Sequence, residues 1–115
     1  MTATNEALRN ISENSFLTNL QTQIMPTAIT YGHKTVTTAG TAVVLGTSTS
    51  LKQGLAVQPL STNTGLIYIG NSSVLSTNGF ELPPGHPGVF IPIDNLAGIY
   101  VNSAVNGEGV SFIGG

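Results

Sequence analysis

Glycine is the residue that most limits how this chain can fold, because all 14 glycines lie at or after Gly32. Every proline except Pro26 lies in the same part of the chain. The sequence is also rich in uncharged polar residues, with 15 Thr, 10 Ser and 10 Asn. Threonine suits strands, whereas Ser, Asn, Gly and Pro suit turns. From Gly32 onward we therefore expect short β-strands joined by turns.

The apolar runs after Gly32 predict about seven strands. Gly65–Gly70 is continuously apolar, which predicts a central strand covered on both faces. Pro92 lacks an N–H donor, so its run is expected to form an edge strand or a bulge. The predicted strands are Lys34–Thr38, Thr41–Leu45, Gly54–Leu60, Gly65–Gly70, Val89–Asp94 and the two strands of a C-terminal hairpin. Such a series predicts a mainly β fold, an antiparallel β-sandwich or small barrel.

The C-terminal hairpin can be given a register. A two-residue turn at Asn106-Gly107 would pair Val105 with Glu108 and Val101 with Phe112. Alternate apolar residues of both strands then fall on one face, and a shift by one residue loses this agreement. We therefore predict that the last two strands of the chain pair with each other.

Residues 1–31 contain no glycine and differ from the rest of the chain. Thr4 and Glu6 suit the start of a helix, but Asn10 and other polar residues weaken helix propensity. We expect a short, marginal helix or an extended arm, which either docks on a partner or covers its own domain. We take residues 1–31 as an arm for partner docking and residues 32–115 as the β-domain. The candidate anchors of the arm are Leu8, Ile11, Phe16, Leu17, Leu20 and Ile24.

Charge is scarce in this sequence. Only 7% of the residues are charged and the net charge is −2, with Arg9, Lys34 and Lys52 as the only strong bases. That is too little positive charge to bind nucleic acid or an anionic membrane, so we expect neither partner. A weakly charged surface also protects little against association. We therefore expect much of this surface to be covered by other chains, the alternative being a monomer kept soluble by its hydroxyls and amides.

The residues suited to catalysis or metal binding are few and scattered. There are two histidines and no cysteines, which excludes disulfides and Cys-ligated zinc. His33 lies at the junction with the arm, and His86 lies in a proline-rich loop that is expected to be exposed. Glu81 and Asp94 are the only carboxylates in the central part of the chain, and Asp94 is expected to form a turn. We expect no enzymatic activity, no metal and no cofactor.

Four stretches of the β-region occur in an order that resembles small virion structural proteins of tailed bacteriophages. They are TAGTAVVLGTS (residues 38–48), NTGLIYIGNSSV (63–74), LPPG (82–85) and IDNLAGIYVNSAVNGEGVSFI (93–113). The resemblance covers roughly residues 34–113. It implies a non-enzymatic β-domain on the capsid surface of a virion, made in the host bacterial cytoplasm. There it would decorate and cement the shell by binding the major capsid protein, as a homo-oligomer.

Two other functions are consistent with this sequence. One is a head- or tail-fibre module that recognises host-surface glycan through aromatic side chains, although the chain has no Trp and buried positions are favoured for Tyr68 and Tyr100. The other is a small hydrolase with His86 as the base. For the fibre module, the aromatic residues that could supply sugar-stacking faces are Tyr31, Tyr68, Tyr100, Phe80 and Phe90.

Overall fold

The computed structural model describes residues 26–115. They form two four-stranded antiparallel sheets, which confirms the mainly β fold and the antiparallel sandwich. Sheet A has the strand order β1-β8-β3-β6, and sheet B has the order β2-β7-β4-β5. A short 3-10 helix, Leu96–Gly98, precedes β7. The strands are β1 Thr30–Val36, β2 Val43–Val44, β3 Leu55–Pro59, β4 Ile67–Gly70, β5 Phe80–Leu82, β6 Val89–Ile91, β7 Tyr100–Ser103 and β8 Glu108–Gly114.

The core lies between the two sheets and is built from the inward-facing residues of both. Strand residues alternate between the two faces, so each strand contributes every second side chain. Removal of one such aliphatic side chain from water stabilises the fold by about 1.5–3 kcal/mol. The most deeply buried aliphatic residues are Val36, Leu55, Val57, Ile67, Leu82, Val101 and Val110.

The predicted pairing of the last two strands is wrong. In the structure β7 belongs to sheet B, where Val101 pairs with Ile69 and Val43, whereas β8 belongs to sheet A. The turn between β7 and β8 therefore crosses from one sheet to the other, and Gly107 N–H donates to the carbonyl of Val36 in β1, at 2.8 Å. Two strands that bury the same set of apolar residues can form one hairpin, but they can equally lie in two sheets that face each other across a core. The predicted faces themselves are right, because Val101 and Phe112 are both buried.

The central position of the fourth strand is confirmed. β4 lies inside sheet B, and Tyr68, which points away from the core, is only 7% exposed. The loop 71–79 lies over this outer face through the buried side chain of Val74. The edge position predicted from Pro92 is also confirmed, since β6 ends at Ile91 on the edge of sheet A.

Strand bounds differ from the prediction at several places. β1 begins at Thr30 rather than at Lys34, because β8 is long enough to pair with it from Gly114 back to Glu108. β5 was not predicted, since its three residues carry no clear period. The predicted turn at Asp94 is made by the next residue instead. Asn95 Oδ1 accepts hydrogen bonds from Ala97 N–H at 2.9 Å and Thr49 N–H at 3.2 Å.

Candidate interaction surface

The outer face of sheet A carries a row of apolar side chains that are open to solvent. Strand register places four residues side by side across the sheet, one from each strand. Their order follows the strand order β1-β8-β3-β6, and three of them are bulky. We call Tyr31, Ile113, Ala56 and Phe90 the apolar row. The exposed fractions are 76% for Tyr31, 53% for Ile113 and 59% for Phe90.

A second, polar row lies beside the apolar row. It consists of His33, Ser111 and Gln58, which are aligned by the same register. The two rows border a trough with a volume of about 510 Å³. No described residue that lines this trough is an Asp, Glu, Lys or Arg. The face therefore combines exposed apolar groups with hydrogen-bonding groups, and His33 contributes its one imidazole.

The two histidines lie in different surroundings. His33 is exposed on β1 and lines the trough, whereas His86 does not line it. His86 is half-buried rather than exposed, which corrects the expectation from the sequence. Its ring atom Nδ1 accepts a hydrogen bond from Gly88 N–H at 2.9 Å, and the backbone N–H of His86 donates to the Pro83 carbonyl at 3.1 Å. The first of these bonds gives the His86 ring a role in holding its own loop together.

The candidate carboxylates lie on different sheets. Glu81 is on β5 at the edge of sheet B, and Asp94 follows β6 at the edge of sheet A; both are exposed. Within residues 26–115, no group of three or more His, Asp or Glu side chains could hold a metal ion. In the same part of the chain, no helix is long and apolar enough to cross a bilayer.

The aromatic candidates for sugar stacking separate into two groups. Tyr31 and Phe90 border the trough, whereas Phe80 is exposed on β5 of the other sheet. Tyr68 is buried, as predicted, but Tyr100 is only half-buried. The candidate arm anchors Leu8, Ile11, Phe16, Leu17, Leu20 and Ile24 lie outside the described residues.

Buried asparagines were not predicted as structural residues, yet they join the loops to the sheets. Asn63 is 7% exposed and pairs with the backbone of Gly109, donating to its carbonyl at 2.7 Å and accepting from its N–H at 3.2 Å. Asn102 is 1% exposed and accepts from Gly40 N–H at 3.0 Å while it donates to the Val74 carbonyl at 3.1 Å. No spacing in the sequence marks these partners, because they are 28 to 62 residues apart.

Glu108 fastens the turn before β8 to the loop before β4. Its carboxylate accepts hydrogen bonds from Thr64 N–H at 2.6 Å, Thr64 Oγ1 at 2.9 Å and Gly65 N–H at 2.9 Å. Partial desolvation raises the pKa of Glu108, but the bonds from Gly65 and Thr64 together outweigh it and hold this pKa below its ordinary value of 4.5. The ionised form of Glu108 therefore stabilises the folded state.

Replacement of Glu108 by glutamine is expected to reduce the dependence of stability on pH. A lowered pKa means that ionised Glu108 contributes stability above the ordinary pKa and loses it as the pH falls through the folded-state pKa. The wild type should therefore be more stable than Glu108→Gln near neutral pH, and the difference should shrink in acid. Urea midpoints measured between about pH 7 and pH 3 report this difference.

The control for this measurement is Thr64→Val, which keeps the backbone donors to Glu108 and removes only the hydroxyl. It should reproduce a small part of the effect of Glu108→Gln. Parallel pH profiles for the wild type and Glu108→Gln would contradict the assignment.

Comparison of the chain with protein-family models, curated proteins and solved structures finds no match. The candidate surface is therefore interpreted from its own geometry and chemistry.

Proposed function

We propose that this protein is a non-enzymatic virion structural protein that decorates and cements the outer surface of a phage capsid. Its partner is the major capsid protein, and it acts as a homo-oligomer on the shell. The proposal combines the resemblance of residues 34–113 to small phage virion proteins with the surface of the β-domain. Its place in the cell is the capsid surface of the virion after synthesis in the host bacterial cytoplasm.

The observation that carries the proposal is the number of large apolar side chains left exposed on the β-domain, on both sheets and on their loops. Monomeric soluble proteins rarely expose contiguous apolar patches of large size, and such patches usually mark interaction sites. Removal of apolar contact area from water is the main favourable term in association, and it must exceed the entropy lost when two chains join and their side chains become ordered. The exposed large apolar residues are Ile29, Tyr31, Leu75, Phe80, Phe90, Val105 and Ile113.

A shell presents many identical sites, which suits a small adhesive domain. A contact that is weak for one copy becomes strong when linked contacts act together. The part of the arm that precedes β1 supplies the second contact in this proposal, with apolar anchors such as Leu17 and Leu20. Its ordering on the shell would cost several kcal/mol, which the apolar anchors must exceed.

Deletion of residues 1–24 is expected to abolish binding to the shell while the β-domain keeps its fold. The reason is that the β-domain retains its strands, whereas the apolar anchors of the arm are removed. The measurement is co-sedimentation with phage particles that lack this protein, accompanied by far-UV circular dichroism of the truncated chain.

A matched pair of full-length variants separates the anchors from the length of the arm. Leu17→Ser with Leu20→Ser removes apolar anchors and should weaken binding by at least about tenfold, while Asn10→Ser with Asn14→Ser should leave it unchanged. Normal occupancy of the shell by the truncated protein would refute the role of the arm. Absence of the wild type from purified particles would refute the proposed function itself.

A second candidate function is the recognition of neutral host-surface glycan by a head- or tail-fibre module. The observation that favours it is the pairing of exposed Tyr31 and Phe90 with the neutral polar row along one trough. Sugar rings stack on aromatic faces and offer hydroxyls to groups such as Gln58 and Ser111. Specific binding on a glycan array would favour this second function over capsid decoration.

A further inference from the structure

We propose that the outer face of sheet A is a two-fold interface with a second copy of this chain. The face consists of the apolar row and the polar row defined above, together with Gly88 at the edge. This proposal concerns the protein free in solution and does not depend on its role on the capsid.

When a second copy is laid over this face with its strand order reversed, the side chains of the two apolar rows complement each other in size. A two-fold axis that lies in the interface, parallel to the strands and between β8 and β3, places β1 of one copy over β6 of the other. Tyr31 then lies against Phe90 of the second copy, twice in the dimer. The same axis places bulky Ile113 over the small side chain of Ala56. Large residues therefore meet small ones at the centre, and aromatic residues meet at both ends.

The polar row is also complementary to its copy under this two-fold axis. The register of β3 with β6, extended by one position, places Gly88 opposite Gln58. In agreement, a Cβ atom built on Gly88 would lie 2.9 Å from the Cβ atom of Gln58. The two-fold axis puts His33 of one copy over Gly88 of the other, where no side chain occupies the space. It also puts Ser111 over Gln58, which brings a hydroxyl to an amide. The trough of about 510 Å³ is the space that these side chains of the second copy enter.

The charge of the face is consistent with this contact. A two-fold interface brings together two patches of the same net charge, and the residues that line the trough include no Asp, Glu, Lys or Arg. The four strands are seven, seven, five and three residues long. At about 3.4 Å per residue and about 4.8 Å between strands they give a flat area of roughly 360 Å². Side-chain relief and the flanking loops supply the remainder of the roughly 600 Å² per partner at which specific interfaces begin.

The two sheets of the sandwich differ in a way that singles out sheet A. The centre of the outer face of sheet B is covered by the chain itself, because the loop 71–79 lies over Tyr68 and Asn102. In the described part of the chain nothing comparable lies over Tyr31, Ile113 or Phe90, which are all more than half exposed. Two facing sheets pack about 10 Å apart through interlocking side chains, and the second copy supplies such a sheet.

Analytical ultracentrifugation of the full-length protein over a range of concentrations tests the proposal. We expect a monomer–dimer equilibrium for the wild type. Each substitution acts twice in a two-fold dimer, so Phe90→Ser should raise the dissociation constant by roughly 100-fold, as the loss of two aromatic anchors implies. Phe80→Ser is the matched control, because Phe80 is 58% exposed and Phe90 is 59% exposed, but Phe80 lies on sheet B.

Three results would overturn the proposal. They are a wild type that remains monomeric at the highest soluble concentration, a closed trimer in place of a dimer, and equal effects of Phe90→Ser and Phe80→Ser. Circular dichroism of both variants separates loss of the fold from loss of the contact, since both positions are exposed.

Cross-linking tests the direction of the two-fold axis. The chain has no cysteine, so single introduced thiols report one position each. In the proposed dimer, residue 31 of one copy faces residue 90 of the other, while the two copies of residue 31 lie about three strand spacings apart, roughly 14 Å. A short bismaleimide should therefore link a mixture of Tyr31→Cys and Phe90→Cys chains and leave each variant alone unlinked. Equal linking of Tyr31→Cys to itself would refute this arrangement.

Discussion

Alanine in place of Gly109 is expected to lower the free energy of unfolding by roughly 3–5 kcal/mol. A methyl group on Gly109 would overlap the carbonyl oxygen of Lys34 and would lie 2.7 Å from Cα of Thr35. Both atoms belong to the backbone of β1, so no side-chain rotation can relieve the overlap. β8 cannot move away from β1 without a loss of hydrogen bonds, because Asn63 holds Gly109 by two of them. A loss of this size is a large fraction of the total stability of a small domain, about 5–15 kcal/mol.

Gly107→Ala is the control for this substitution. Gly107 has φ of +79° in the turn between β7 and β8, and a Cβ atom there would have nothing within 4 Å. It should therefore cost only the strain of a left-handed backbone, about 1 kcal/mol. Urea denaturation of both variants gives the comparison. If both variants lost the same free energy of unfolding, the close approach of β1 to Gly109 would not be the cause of the loss in Gly109→Ala.

Local sequence patterns could predict the features of the fold that depend only on residues close together in the sequence. Continuous apolar sequence at Gly65–Gly70 indicated a strand buried on both faces, and Pro92 indicated an edge strand, since proline cannot donate to a neighbour. The predicted strands Lys34–Thr38 and Thr41–Leu45 leave only Ala39-Gly40 between them for a turn, and Gly40 has a φ of +91° there. These features require no knowledge of which strands are paired.

Strand pairing is the part that local patterns could not predict. The turn at Asn106-Gly107 suits a hairpin, but its flanking strands join different sheets, where each pairs with another strand on both sides. β8 pairs along seven residues with β1 and five with β3. Apolar alternation sets which face of a strand is buried, and both arrangements bury the same faces. The sequence thus predicted the core residues Val101 and Phe112 but not their sheets.

The candidate surface depended on pairing in the same way. Its apolar row brings together residues from four separate strands, and the residues are up to 82 positions apart in the chain. Two of them, Tyr31 and Phe90, are among the five aromatic candidates for sugar stacking, but no pattern in the sequence indicates Ile113 or Ala56. Only the register of β1, β8, β3 and β6 shows that the four side chains form one row.

Replacement of Asn102 by alanine is expected to lower the free energy of unfolding by roughly 2–4 kcal/mol. The Asn102 amide is buried and joins three segments, since it accepts from Gly40 N–H at 3.0 Å and from Ser103 N–H at 2.8 Å and donates to the Val74 carbonyl at 3.1 Å. Each buried partner left without a hydrogen bond costs about 1–3 kcal/mol. Water can reach Gly40 once the side chain is removed, which keeps the total below the sum of three such losses.

Asn106→Ala is the matched control, because Asn106 binds the neighbouring amide of the same turn. Its Oδ1 accepts from Ala39 N–H at 2.7 Å, but this bond is exposed, so its loss should cost less than about 1 kcal/mol. Urea denaturation measures both losses, and hydrogen exchange at Gly40 reports the turn itself. Asn102→Ala should speed that exchange and also free the loop 71–79 from the outer face of sheet B. If both variants lost the same stability, burial of the Asn102 amide would not be what holds this loop on the sheet.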